Sequence, residues 1–189
     1  MLADEGYVAF ALDMYGKVAK NMVEAMSWLN ALVADPPELA KRARAGLEVL
    51  KQQPNVDSSR LAAIGHCFGG GVVIEMARSA PGLACVVAFH PGLTGQPEKD
   101  ERKVLAKVMV CAGVEDPLIP AEARERFISL MSTAGADWQL LTYGRAGHSF
   151  TDKSVGALNM PGFFHNEAVD IRSWAAMRFL FDECFGPIR

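Results

Sequence analysis

The chain has 189 residues, half of them apolar and 22% charged, with a formal charge of −3. That length supports one domain with a substantial core, and the weak negative charge gives no attraction to nucleic acid or to an anionic membrane surface. No apolar run reaches the length of a membrane span, no basic-then-apolar leader opens the chain, and the four cysteines form no Cys-x-x-Cys pair, which argues against zinc, a disulfide framework and export. The expected setting is reduced and cytoplasmic.

Residues Leu2 to Gly6 read as the last turn of a helix stopped by Gly6. Tyr7 to Leu12 is continuously apolar and predicts a buried strand, closed by a turn at Asp13-Met14-Tyr15-Gly16. From Lys17 to about Asp35 the pattern is amphipathic and predicts one helix or two short ones. Pro36 and Pro37 suit a helix start, and Leu39, Ala43, Leu47 and Leu50 keep helical spacing to Gln52. The basic residues among them predict a solvated face.

Leu61 to Gly65 is a short apolar strand. It runs into His66-Cys67-Phe68-Gly69-Gly70-Gly71, and a helical pattern follows with Val72, Val73, Met76 and Ala77 on one face. Gly-x-Cys-x-Gly between a strand and a helix has the form of a nucleophile elbow, in which a sharp turn lifts the side chain clear of the sheet. The helix N-terminus then favours a thiolate. Two other readings fit the same stretch, a buried structural cysteine and a phosphate-cradling turn. The second lacks both Gly-x-Gly-x-x-Gly and the Lys-Ser/Thr of a P-loop.

Cys85 to His90 predicts a further buried strand closed by Pro91-Gly92, followed by a polar loop to about Arg102. Val104 to Ala112 holds the next strand, Ala121 to Thr133 a helix, and Trp138 to Tyr143 a strand. Gly144 to Phe150 is a loop carrying His148. Asn166 to Phe185 is a long helix with Ile171, Trp174, Met177, Phe181 and Cys184 assigned to its apolar face. Apolar strands alternating with helices predict an α/β fold with a mostly parallel sheet covered on both faces. In such sheets the site lies at the carboxyl ends of the strands, where Asp13, Cys67, His90, Asp116 and His148 all fall.

A thiol nucleophile needs a base, and the base needs an orienting group. Asp116 precedes Pro117, which keeps it extended, and His148 lies just past the last strand. The order Cys67, Asp116, His148 is nucleophile, acid, histidine. His66 is expected to point away from the thiol, His90 either lines the pocket or is structural, and His165 starts a helix. No cluster of His, Cys, Asp or Glu has metal-ligand spacing.

The motifs Gly65-His66-Cys67-Phe68-Gly69-Gly70, Gly113-Val114-Glu115-Asp116-Pro117 and Gly147-His148-Ser149-Phe150, with Asp13-Met14-Tyr15-Gly16 upstream, resemble the dienelactone hydrolase family of α/β-hydrolases. The resemblance runs over essentially the whole chain, read as a single domain. It implies a three-layer α/β-hydrolase sandwich and hydrolysis of an activated ester or lactone through an acyl-thioenzyme. The implied triad is Cys67, His148 and Asp116, with the Phe68 backbone N–H as an oxyanion donor and no cofactor or metal. Tyr15, Lys17 and His90 are expected to line the substrate. The expected partner is a small molecule, and the protein is expected to be a monomer or homodimer.

Two departures qualify those expectations. The family carries several dozen more residues at its front, with early strands, a loop giving a second oxyanion amide, and a glutamate near the thiol. The expected sandwich is therefore N-terminally shortened, as in a fragment or a mis-started reading frame. The family's substrate-binding arginines are also absent: Lys17 follows Tyr15-Gly16, and Asp152 follows Phe150-Thr151. A less acidic ester or lactone is thus as well matched as the dienelactone. The rival expectations are a non-catalytic protein that keeps the fold, and a thioesterase built on the same elbow.

Overall fold

The computed structural model describes residues 2–93 and 102–187, and the chain packs as two compact units, residues 2–59 and Arg60–Pro187. In the first, a 3-10 turn at Leu2–Glu5 ends at Gly6, whose φ is 85°. Two helices follow, α1 (Met22–Val33) and α2 (Pro36–Lys51). The Asn21 side chain caps α1 by accepting from the Glu24 amide, and Asp35 caps α2 by accepting from Glu38, with the prolines in the first turn as expected.

The strand expected over Tyr7 to Leu12 does not form. These residues run as irregular chain, and Val8, Phe10 and Leu12 are 42%, 47% and 37% exposed. An apolar run becomes a strand only when a neighbour completes its hydrogen-bond ladder, and this run has no ladder partner among the described residues. The turn after it does form: the Asp13 carboxylate accepts from the amides of Tyr15 and Gly16 at 2.8 and 2.9 Å. Arg42 fixes this turn to α2 by donating to the Met14 carbonyl at 2.9 Å.

The second unit contains four strands, β1 (Leu61–His66), β2 (Leu83–Phe89), β3 (Lys107–Gly113) and β4 (Trp138–Tyr143). They form one parallel sheet in the order β1-β2-β3-β4. Cys85, Val86, Val87, Ala88 and Phe89 of β2 are all fully buried. Successive strand side chains point to opposite faces, so both faces of the sheet are covered. Helix α3 (Phe68–Ser79) packs on β1 and β2, α5 (Glu167–Phe185) packs on β2, and α4 (Ala121–Thr133) links β3 to β4. Each fully buried Val or Phe contributes about 1.5–3 kcal/mol of transfer free energy, which makes the central pair β2 and β3 the core.

The strands and helices of this unit follow the expected order, with boundaries shifted by a few residues. Helix α5 differs in its inner face. Val169, Ser173, Met177, Leu180 and Phe181 are buried, whereas Ile171 is 65% exposed. Ile171 lies two residues from Val169, which at 3.6 residues per turn puts it on the opposite side of the helix. A short 3-10 turn at Val155–Leu158 had no counterpart in the sequence pattern. The expected polar loop after Pro91-Gly92 lies mostly outside the described residues. Among the described residues, no helix is long and apolar enough to cross a membrane.

Candidate functional site

Parallel pairing brings the ends of the four strands to one edge of the sheet, with His66 paired to Phe89, Phe89 to Cys111, and Gly113 to Tyr143. Cys67, His90, Asp116 and His148 each follow one strand, so the register alone gathers them.

Cys67 sits between β1 and α3 with φ 51° and ψ −117°, a backbone conformation that L-residues seldom adopt. Its amide donates to the Phe89 carbonyl at 3.0 Å, and its own carbonyl accepts from Gly70 and Gly71. These bonds hold the strained residue from both sides. The Cys67 side chain makes no capping bond to α3 and is left to face across the sheet edge. The elbow is tight because Gly65 lacks a side chain: a Cβ there would lie 2.0 Å from the Gly69 carbonyl oxygen. Gly65→Ala is therefore expected to force the turn open and to lower unfolding free energy by about 1–3 kcal/mol, checked by urea denaturation.

His148 is positioned by backbone bonds on its loop. Glu115 N–H donates to the Ala146 carbonyl at 2.9 Å, and Val114 N–H donates to Tyr143 at 3.0 Å. His148 N–H donates to Gly162 at 2.7 Å, and its carbonyl accepts from Phe164. The loop lies so close to β3 that a Cβ on Gly113 would meet the Ala146 carbonyl oxygen at 2.3 Å. Asp116 turns back at the same place. Its Oδ1 accepts from the Leu118 amide at 2.8 Å, which leaves Oδ2 for the histidine.

The three side chains form a continuous line. His148 Nδ1–H donates to Asp116 Oδ2 at 2.8 Å, and His148 Nε2 stands 3.0 Å from Cys67 Sγ. Asp116 and His148 are buried, at 4% and 1% exposure, and Cys67 is half-buried. Burial opposes a charge on His148, but the hydrogen bonds to Asp116 and Cys67 outweigh it and raise the imidazole to about 9. The arrangement can hold a positive charge beside the sulfur and can pass a proton at Nε2.

His90 is also at this edge, and its ring is 2% exposed. It faces His148, Phe150 and Thr151, with Nε2 2.8 Å from Thr151 Oγ1. His66 stacks on Phe89 with ring centroids 4.7 Å apart. His165 precedes Asn166, the N-cap of α5, with Nε2 3.6 Å from Asp170 Oδ2. Phe68 is the first residue of α3. Tyr15 and Lys17 belong to the first unit, where Tyr15 packs against Trp28 and Lys17 Nζ lies 4.0 Å above the Trp28 ring. Thr151 and Phe163 were missed by the sequence reading. The contacts of Thr151 with His90 and of Phe163 with His148 depend on a loop path that no local pattern encodes.

The dienelactone hydrolase family model matches residues 1–185. A crystal structure of a dienelactone hydrolase-like promiscuous phosphotriesterase from metagenomic libraries superposes with a TM-score of 0.90 at 37% identity, covering 98% of this chain and 78% of that one. An uncharacterized Caenorhabditis elegans protein is 30% identical over 78% of this chain and 95% of its own length. A Yersinia pestis protein named "Putative carboxymethylenebutenolidase" is 28% identical over 79% of this chain, which covers 60% of that protein. With its parallel sheet and its elbow, the chain belongs to the dienelactone hydrolase family of α/β-hydrolases.

Proposed function

We propose that this protein hydrolyses small esters or lactones through a Cys67-His148-Asp116 triad and an acyl-thioenzyme intermediate. The observation that carries the proposal is the line of two short contacts, 3.0 Å from Sγ to Nε2 and 2.8 Å from Nδ1 to Oδ2. His148 takes the thiol proton, and the imidazolium is balanced by the Asp116 carboxylate. The thiolate attacks the carbonyl carbon, forming the C–S bond, and the carbonyl electrons move to oxygen. The Phe68 amide, at the positive end of α3, is assigned to that oxyanion. The oxyanion collapses, the C–O bond breaks, and the leaving alkoxide takes the proton from Nε2. Water then gives a proton to His148 and attacks the thioester, and the acid leaves as Sγ regains its electron pair.

Asp152 is two residues past Phe150 in the same loop, which favours neutral substrates over carboxylates. The likeness to a phosphotriesterase supports a second class, since a thiolate in this position can also attack a neutral phosphotriester. Iodoacetamide labelling of Cys67, read by intact mass across pH, should be run beside p-nitrophenyl acetate and diethyl p-nitrophenyl phosphate turnover. We expect Cys67 to be alkylated ahead of Cys184, together with ester turnover. A Cys67 no more reactive than Cys184, in a protein without turnover, would leave only a non-catalytic scaffold.

A further inference from the structure

The second strand ends in a histidine that the proposed chemistry does not use. His90 has φ 38°, in the left-handed region that few residues other than glycine adopt, and its amide donates to the Cys111 carbonyl at 2.8 Å. Its backbone is thus fixed to β3 while its side chain points toward the His148 loop. The His90 ring meets His148 edge-on, with centroids 5.3 Å apart and planes at 69°, and meets Phe150 at 5.0 Å and 83°. Phe163 packs against His148 as well, 4.8 Å from its centroid. The bond from His90 Nε2 to Thr151 Oγ1, at 2.8 Å, joins the end of β2 to a residue three positions past His148.

We propose that His90 and Thr151 form an uncharged clamp that positions His148, stopping its ring from swinging out of line between Asp116 Oδ2 and Cys67 Sγ. The inference rests on the triad reading above and adds two positioning residues to it. A catalytic imidazole held at Nδ1 by one carboxylate can still tilt about that bond. Packing against a neighbouring ring that is itself anchored limits the tilt, and small misplacements at a reacting centre are costly in rate.

The clamp works only if His90 carries no charge, because an imidazolium there would repel the imidazolium on His148. Burial, with smaller contributions from His148 and His66, lowers His90 to about 3. Among the described residues, the titratable groups that bear on it are His148 and Asp152 on the loop after β4 and His66 at the end of β1. Asp152 opposes the shift without overturning it.

Thr151→Val tests the clamp, because it keeps the shape of a half-buried side chain and removes the hydroxyl. Steady-state kinetics on p-nitrophenyl acetate should show kcat lower by about 10- to 100-fold with KM unchanged. Thr151→Ser should recover most of the loss. Histidine-ring NMR gives a readout independent of turnover: the His148 midpoint should fall in Thr151→Val, because its contacts with Asp116 and Cys67 are less often made, and should return in Thr151→Ser. Wild-type kcat and an unmoved His148 midpoint in Thr151→Val would overturn the clamp, as would a serine variant that behaves like valine. A wild-type protein without esterase turnover would instead count against the triad reading, and the NMR comparison would still decide whether His90 and Thr151 hold His148.

Discussion

Cys67→Ala is expected to lower kcat/KM for p-nitrophenyl acetate by roughly 10⁴- to 10⁶-fold, the scale of losing the nucleophile from a triad. The fold should survive, because the half-buried Cys67 side chain makes its close polar contact with His148 alone among the described residues. Loss of the strained turn is not expected either, since its backbone bonds to Phe89, Gly70 and Gly71 do not involve sulfur. Cys184→Ala is the matched control. Burial raises that thiol, and it lies in the last turn of α5, on a different element from the triad. Stopped-flow with substrate in excess adds a second check: the wild type should release p-nitrophenol in a stoichiometric burst as the thioester forms ahead of its slower hydrolysis, and the alanine variant should show none. Retention of full turnover by Cys67→Ala would end the thiol mechanism.

Asp116→Asn should cost about 10⁴ in kcat, as expected when the group that fixes the histidine tautomer is replaced by one that can donate. It should also change how stability depends on pH. The folded-state value of His148 is raised, to about 9, above the unfolded value near 6.5. A group raised in the folded state contributes stability that is fully present below about pH 6.5 and is lost as pH climbs through about 9. The size is on the order of 3 kcal/mol, shared between Asp116 and Cys67 as partners. Melting temperatures of wild type and Asp116→Asn should therefore differ most near pH 6 and converge toward pH 9 to 10. A constant gap across that range would show that Asp116 acts on stability through its side-chain bond to the Leu118 amide rather than through His148.

Much of the second unit was legible because its signals are local. The apolar strands, the helix-start residue Asn166 and the glycines around Cys67 each encode a short-range preference, and parallel pairing then collects the strand ends without further instruction. The candidate residues Cys67, Asp116 and His148 were found for the same reason, since Cys67 directly follows β1 and the other two lie on the loops leaving β3 and β4. Other features depend on what a segment packs against. Tyr7 to Leu12 has strand composition but no ladder, and Ile171 has the right hydrophobicity on the wrong side of its helix. The role of His90 was left open in the sequence because a ring at a strand end can face a pocket or a neighbour with equal local propensity. Thr151 and Phe163 gave no signal at all, because only the folded path of the loop brings Thr151 to His90 and Phe163 to His148.

That loop path also bears on how the chain could change in length. His148 is held by bonds from Gly162 and Phe164, and Phe150 by the Asn166 amide, while residues 156–161 between them are exposed and make few ties to the core. The excursion is a detour with both ends fastened. Extra residues spliced into it would raise the entropic cost of closing the loop only slowly, by about 0.6 kcal/mol for each doubling, and would not move the histidine. The same insertion between Ala146 and Phe150 would break the register of every anchor at once. Descendants of this sequence can thus acquire new surface by lengthening one short bend, leaving the alignment of the His148 imidazole with Asp116 and Cys67 intact.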